Sequence, residues 1–285
     1  MHRSWTVSRD VLRCLWLGLG VDARRMFETA PEISRWTCAR CRLWIHLPAV
    51  AGDSAFYESL LAKHWYSVPG KFEHREALRI LRRRFSSSNP DLESTVPPPS
   101  SRRWRALDRG AGRCPLPATS WLTVETREPP VSKPPFDVVC AFQVLEHVAS
   151  PIRFLAECVD WVRPGGFVVV GVPAADSYLA RMCSLPLDLP PHHVTGWTER
   201  ALETALLRVG LVPEPCRRAP EESWERGLAW SARVFPDPPG PPSCWRGLIR
   251  ALTVSLGALV VAPRVPSDRT GSTLLFTARR LITKE

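Results

Sequence analysis

Residues 135–173, PFDVVCAFQVLEHVASPIRFLAECVDWVRPGGFVVVGVP, constrain the fold more than any other part of the chain. Two continuous apolar runs, residues 138–142 and 167–172, have the composition of strands buried on both faces of a parallel sheet. Between them Ile152, Leu155, Ala156, Val159 and Val162 recur at three- and four-residue spacing, which predicts one helical face laid on that sheet. Ser150 and Pro151 supply an N-cap and a first-turn proline, and Pro164-Gly165-Gly166 supplies a stop. A strand–helix–strand crossover of this length is right-handed and belongs to an α/β domain.

The flanking sequence divides into three parts. Residues 1–50 form a small cysteine-bearing segment with Cys14 and the pair Cys38 and Cys41. A CxxC turn offers half of a tetrahedral zinc site, which Cys14 and His46 could extend; two buried structural cysteines are the competing reading. Residues 51–101 hold two helices broken at Pro69-Gly70, then a serine- and proline-rich linker over residues 86–101. Phe56, Leu60, Leu61, Phe72, Ala77, Leu78 and Leu81 give these helices apolar faces able to cover a cleft. Residues 102–285 form the α/β domain, with a helix capped by Thr198 and ending at Gly210, a proline-rich stretch over residues 213–243, a helix near residues 245–259 and a last strand at residues 272–278.

The net charge of +10 is spread along the chain without an aromatic-interleaved basic face, so nucleic acid is not an expected partner. Nine cysteines without a disulfide rhythm, and no leader sequence, point to a reducing, cytoplasmic setting. The most apolar tail segment, residues 251–262, is about half of the ~20 residues a membrane span needs.

The run FDVV…VLEHV…P..FL…PGG..VV resembles the centre of class I S-adenosylmethionine-dependent methyltransferases, especially the ubiquinone-biosynthesis-like branch. The resemblance covers most of residues 36–282. It implies a Rossmann-like sheet with flanking helices behind an N-terminal helical and zinc-ribbon-like segment, in which Leu17 stands where a further cysteine is usual. It also implies S-adenosylmethionine as cofactor. Asp108, Gly110 and Gly112, in Asp108-Arg109-Gly110-Ala111-Gly112, match the family's first cofactor loop, where the backbone bends sharply and a Cβ would obstruct the ligand. Glu125, ending a short strand over residues 121–124, stands where the ribose hydroxyls are held. Phe142, Gln143 and Val144 lie at the carboxyl end of the strand carrying Asp137, where ligands of open α/β sheets bind; an exposed turn is the other reading of Gln143.

Asp108 and Asp137 are only 29 positions apart, which predicts a sheet shortened in its second- and third-strand region and an adenosine half rebuilt or lost. Arg103, Arg105 and Arg109 also interrupt the expected first strand. For proton removal from a small-molecule acceptor, His193 and His192 in Pro190-Pro191-His192-His193 are the candidates, because imidazole titrates near neutrality; capping or solvated loop histidines are the plain alternative. His147 reads rather as a turn-fixing histidine. The expected activity is methyl transfer to oxygen or carbon of a small molecule. The alternative is an inactive scaffold that kept the sheet and lost part of the adenosine site.

Overall fold

A computed structural model describes residues 1–63, 66, 71–86, 103–126, 135–182, 185–234 and 270–282. Four parallel strands form the centre: β4 (Trp104–Arg109), β5 (Leu122–Glu125), β6 (Phe136–Phe142) and β7 (Val162–Pro173). Their spatial order is β5-β4-β6-β7, and β11 (Thr270–Arg280) joins antiparallel to β7, pairing Leu275 with Gly171. Two short strands, β9 (Leu211–Pro213) and β10 (Arg217–Pro220), both pair with β11. The expected crossover and antiparallel final strand are therefore present. Between β4 and β5 the described residues carry no helix, and only β5 lies beyond β4 among the described residues. Ser86, the first residue of the expected linker, ends a helix, and the rest of the linker and the helix expected near residues 245–259 lie outside the described residues, as do residues 251–262. Among the described residues no helix is long and apolar enough to cross a membrane.

Alternation along the strands gives the sheet two dry faces. Val168, Val170, Val172 and Val139 face one core with α4 (Pro151–Trp161) and α6 (Glu199–Arg208). Phe167, Val169, Val138 and Cys140 face the other, covered by Ala77, Ile80 and Leu81 of α3 (Phe72–Ser86). A third core joins α1 (Arg9–Gly18) to Phe56 and Leu60 of α2 (Ser54–Leu61) and to Leu189. It lies with a second, antiparallel sheet of β1 (His2–Ser8), β2 (Glu32–Thr37), β3 (Trp44–Leu47) and β8 (Thr195–Gly196).

Four details differ from the sequence pattern. Ile152 is 37% exposed and Ala156 is also exposed, while Leu155 and Cys158 are buried, so the buried stripe of α4 is rotated by one position. Arg109 explains the rotation: its guanidinium lies 4.0 Å from the Phe154 ring centre and 4.3 Å from that of Trp161, drawing those positions inward. The helix ends at Trp161, and Pro164-Gly165-Gly166 lies within β7 instead of stopping the helix. Ser150 is the N-cap residue by position, but its side chain makes no capping bond. Finally, the proline-rich stretch holds α7 (Ser223–Val234), a helix that its composition conceals.

The same arginine accounts for a basic residue in a central strand. Arg109 is 5% exposed, donates to the Phe154 carbonyl and pairs with Glu157 at 3.2 Å. Arg105 lies 4.8 Å from the Phe136 ring. At the other end of the sheet, Asp137 accepts from the Arg105 amide at 2.8 Å and from Arg163 at 2.7 Å, tying the starts of β4, β6 and β7 together.

Arg109→Ala is expected to lower the unfolding free energy by about 3 kcal/mol, and Arg109→Lys to recover less than about half of it, because an ammonium does not stack between two rings. Urea unfolding monitored by tryptophan fluorescence measures both. His74 on α3 packs its ring 4.9 Å from Phe142, and burial, reinforced by Lys71, lowers its pKa from 6.5 to about 4. Its unfolded form therefore takes up a proton that the folded form refuses, so its contribution is complete above 6.5 and is lost as pH falls toward 4. The urea midpoint of His74→Phe, relative to the parent, should move in the variant's favour between about pH 7.5 and about pH 5; a constant difference would contradict this.

Candidate functional site

The carboxyl ends of β4 and β6 form the floor of a cleft of about 940 Å³. Asp108 is buried, and its Oδ2 accepts the Leu116 amide at 2.7 Å, folding the segment after β4 back on itself. Gly110 follows with φ +66°, and a Cβ there would lie 2.7 Å from Cγ2 of Val144. The loops after β4 and β6 therefore interlock at this point, and no side chain fits between them. Gly112 also has φ +56° but faces open space. Gln143 adopts φ 57°, unusual for a residue with a Cβ, while its amide donates to the Gly171 carbonyl at 2.8 Å. Asp108, Gly110, Gly112, Phe142, Gln143 and Val144 all line the cleft. Glu125 ends β5 but is not among the lining residues, and residues 127–134 lie outside the described residues.

The far wall is the segment of residues 185–198, held by the N-terminal segment. The indole of Trp16 donates to the Pro190 carbonyl at 2.7 Å, the His46 amide to the Val194 carbonyl at 2.9 Å, and the Gly52 amide to the Pro191 carbonyl at 2.8 Å. Thr198 caps α6 by accepting from the Ala201 amide, and its hydroxyl also donates to the Cys41 carbonyl at 2.5 Å. From the sheet side, the Glu146 carbonyl accepts the amides of Val194 and Thr195. This segment is thus buttressed from both sides.

His192 and His193 are both buried and both line the cleft, 4% and 7% exposed. A carbonyl can only accept, so Nδ1 of His192 donates to Leu187 at 2.8 Å, and Nε2 accepts from the Tyr66 hydroxyl at 2.8 Å. By the same reasoning His147 donates through Nδ1 to the His192 carbonyl at 2.6 Å, and His46 donates to the His193 carbonyl at 3.1 Å. Nδ1 of His193 lies 3.3 Å from Asp188. Burial pushes His192 and His193 well below the usual imidazole range, with neighbouring imidazoles adding to the effect, and brings His147 to about 4. Imidazoles in this wall are neutral at physiological pH and weaker bases than the sequence pattern suggests. They can accept a hydrogen bond from an acceptor hydroxyl. Glu146 is 1% exposed, and burial raises its pKa to about 8.

Several lining groups escape sequence inspection. Two of the chain's three tyrosines, Tyr57 and Tyr66, face the histidines, and desolvation raises both hydroxyl pKa values. Their clustering in an aromatic segment was the available signal. Glu222, Trp224 and Glu225 reach the cleft from the start of α7. The cysteine segment lies elsewhere. Cys14 is exposed on α1, whereas Cys38 and Cys41 are half-buried in the turn between β2 and β3. Backbone amides of Cys41 and Arg40, with the Cys41 side chain, lower the Cys38 thiol to about 7. Among the described residues no third histidine, cysteine or carboxylate joins that pair within ligating reach, so Cys14, Cys38 and Cys41 do not converge.

A family model described as a methyltransferase domain matches residues 68–214, just over half of the chain. Ubiquinone biosynthesis O-methyltransferases from Maricaulis maris (strain MCS10) and Caulobacter sp. (strain K31) are 51% and 50% identical to this chain over 35 and 36 residues. Those matches span 12% and 13% of this chain and 14% of each relative, about a seventh of the curated proteins' length. Among solved structures, the YcgJ protein from Bacillus subtilis is 11% identical with TM-score 0.38, over 74% of this chain and all of that one. The [4+2]-cyclase SpnF is 14% identical with TM-score 0.38, over 64% of this chain and 76% of that one. Such distant structural likenesses add nothing to a functional assignment. The family match extends from the residues just before α3 through β9 and takes in both interlocked loops and the histidine wall: the chain belongs to the methyltransferase-domain family.

Proposed function

We propose that this protein transfers a methyl group from S-adenosylmethionine to a small molecule bound in the cleft, with an acceptor oxygen the favoured nucleophile. The single observation that supports the reading most is that one cleft is lined both by the Asp108 to Gly112 loop and by His192 and His193. The cofactor, when bound, supplies a methyl group already activated as a sulfonium. The protein's task is therefore alignment and exclusion of water. Asp108 and the positive-φ glycines shape a backbone surface that a ligand can approach closely, and Phe142, Gln143 and Val144 complete it. A volume of about 940 Å³ accommodates a cofactor together with a compact acceptor. Tyr57, Tyr66, Phe72 and Trp224 favour an acceptor with an aromatic or apolar body. A neutral His193 orients its hydroxyl. Glu125 and the adenosine side belong to the same proposal, as do the three sequence divisions at residues 1–50, 51–101 and 102–285.

Calorimetric titration of the full chain with S-adenosylmethionine is the direct test. Michaelis constants of enzymes typically fall between about 1 μM and about 1 mM, and saturable cofactor binding in that concentration range is expected. No heat of binding at millimolar cofactor would remove the enzyme reading and leave a methyltransferase-like scaffold. Gly110→Leu should weaken binding by more than about 100-fold, since the side chain must enter the space held by Val144 and adopt a left-handed backbone. Unchanged affinity would mean that the cofactor lies elsewhere.

A further inference from the structure

We infer that His147, His192 and His193 form a binding site for one divalent transition-metal ion of the zinc class. Among the described residues, this is the one group of three or more potential ligands whose donor atoms all lie within 4.8 Å of one another. The ring centres are 4.4 to 5.0 Å apart. Two nitrogens on one zinc ion are about 3.4 Å apart, so side-chain rotations of about an ångström close the set.

Hydrogen bonding prepares the rings as ligands. Histidines that bind metal usually donate their other N–H to a carbonyl or carboxylate, which fixes the tautomer and aims the free lone pair. Here the Nδ1 atoms of His147 and His192 are committed to the His192 and Leu187 carbonyls, and that of His193 faces Asp188. This leaves Nε2 as the ligating atom of each ring. His192 Nε2 now holds the Tyr66 hydroxyl, which a cation would displace.

An independent observation points to the same place. Neither carboxyl oxygen of Glu146 has a hydrogen-bond partner among the described residues, although the side chain is 1% exposed. Oε1 lies 3.7 Å from Nε2 of His147. A buried carboxyl group whose oxygens have no hydrogen-bond partner is costly, and a cation beside it removes the cost. Imidazole donors with one carboxylate select zinc, cobalt, nickel or iron over magnesium or calcium. All four side chains line the main cleft, so the remaining coordination positions open toward bound molecules. The inference stands whether or not methyl transfer is the activity.

The test uses the full chain, freed of metal with EDTA and titrated with cobalt(II) chloride while visible absorption is followed. One equivalent is expected to bind with the ligand-field bands of nitrogen and oxygen ligation and without a thiolate charge-transfer band; zinc chloride should compete for it. His147→Gln and His193→Gln should each weaken binding more than about 100-fold, and Asp188→Asn about 10-fold. Tyr66→Phe should bind more tightly, because the hydroxyl no longer occupies His192. Cys38→Ser should bind like the parent. Circular dichroism identifies any variant that fails to fold, and the parent and Tyr66→Phe then decide alone. Absence of saturable binding by the parent, undiminished affinity in folded His147→Gln and His193→Gln, a Tyr66→Phe variant that binds no tighter, or a thiolate band that Cys38→Ser abolishes would each overturn the assignment.

Discussion

The Arg109 guanidinium is the contact on which the sheet and its cleft both depend. It sits one residue before Gly110, in the central strand, and its stacking between Phe154 and Trp161 anchors α4 against β4. Everything at the carboxyl end of β4 starts from that anchored point. Asp108 can fold the next segment back, and Gly110 can abut Val144, because the strand beneath them is pinned through the helix. A buried arginine is usually a liability. Two aromatic faces and a carboxylate turn this one into a structural support.

The second determinant is the N-terminal segment, whose helix α1, strand β3 and the loop before α2 support the cleft. Trp16, His46 and Gly52 each hold the backbone of residues 190–194 from outside, and Glu146 holds it from inside. With both sides fixed, His192 and His193 have little freedom, and their low exposure follows from the same enclosure. The three-histidine arrangement is thus a product of packing between segments that are 45 to 147 residues apart in sequence.

How much of this was legible depends on whether the determining contacts were local. Valine runs over residues 138–142 and 167–172 announced β6 and β7 because burial on both faces demands such composition. The Asp108 loop was legible because positive φ and close approach leave glycine as the natural residue. The phase of α4 was not: Leu155 and Cys158 are its buried residues, with Trp161 half-buried beside them, and only Arg109, distant in sequence, reveals why. Proline content masked α7. Charge masked β4, whose arginines pack their guanidinium groups on aromatic rings of other elements. Among site residues, His192 and His193 were recognisable as chemistry, but their weak basicity is a property of enclosure that no local pattern records.

Thr195 and Gly196, the two residues of β8, complete a sheet whose other strands lie within the first 47 residues. During synthesis, β3 leaves the ribosome with its outer edge unpaired and keeps it so until about 150 further residues have been made. Completion of this sheet therefore waits for residues 195 and 196. An exposed strand edge of that duration invites pairing with other nascent chains. Shortness of β3, four residues with an adjoining proline at Pro48, limits that hazard on the ribosome in the same way that it limits aggregation at finished sheet edges.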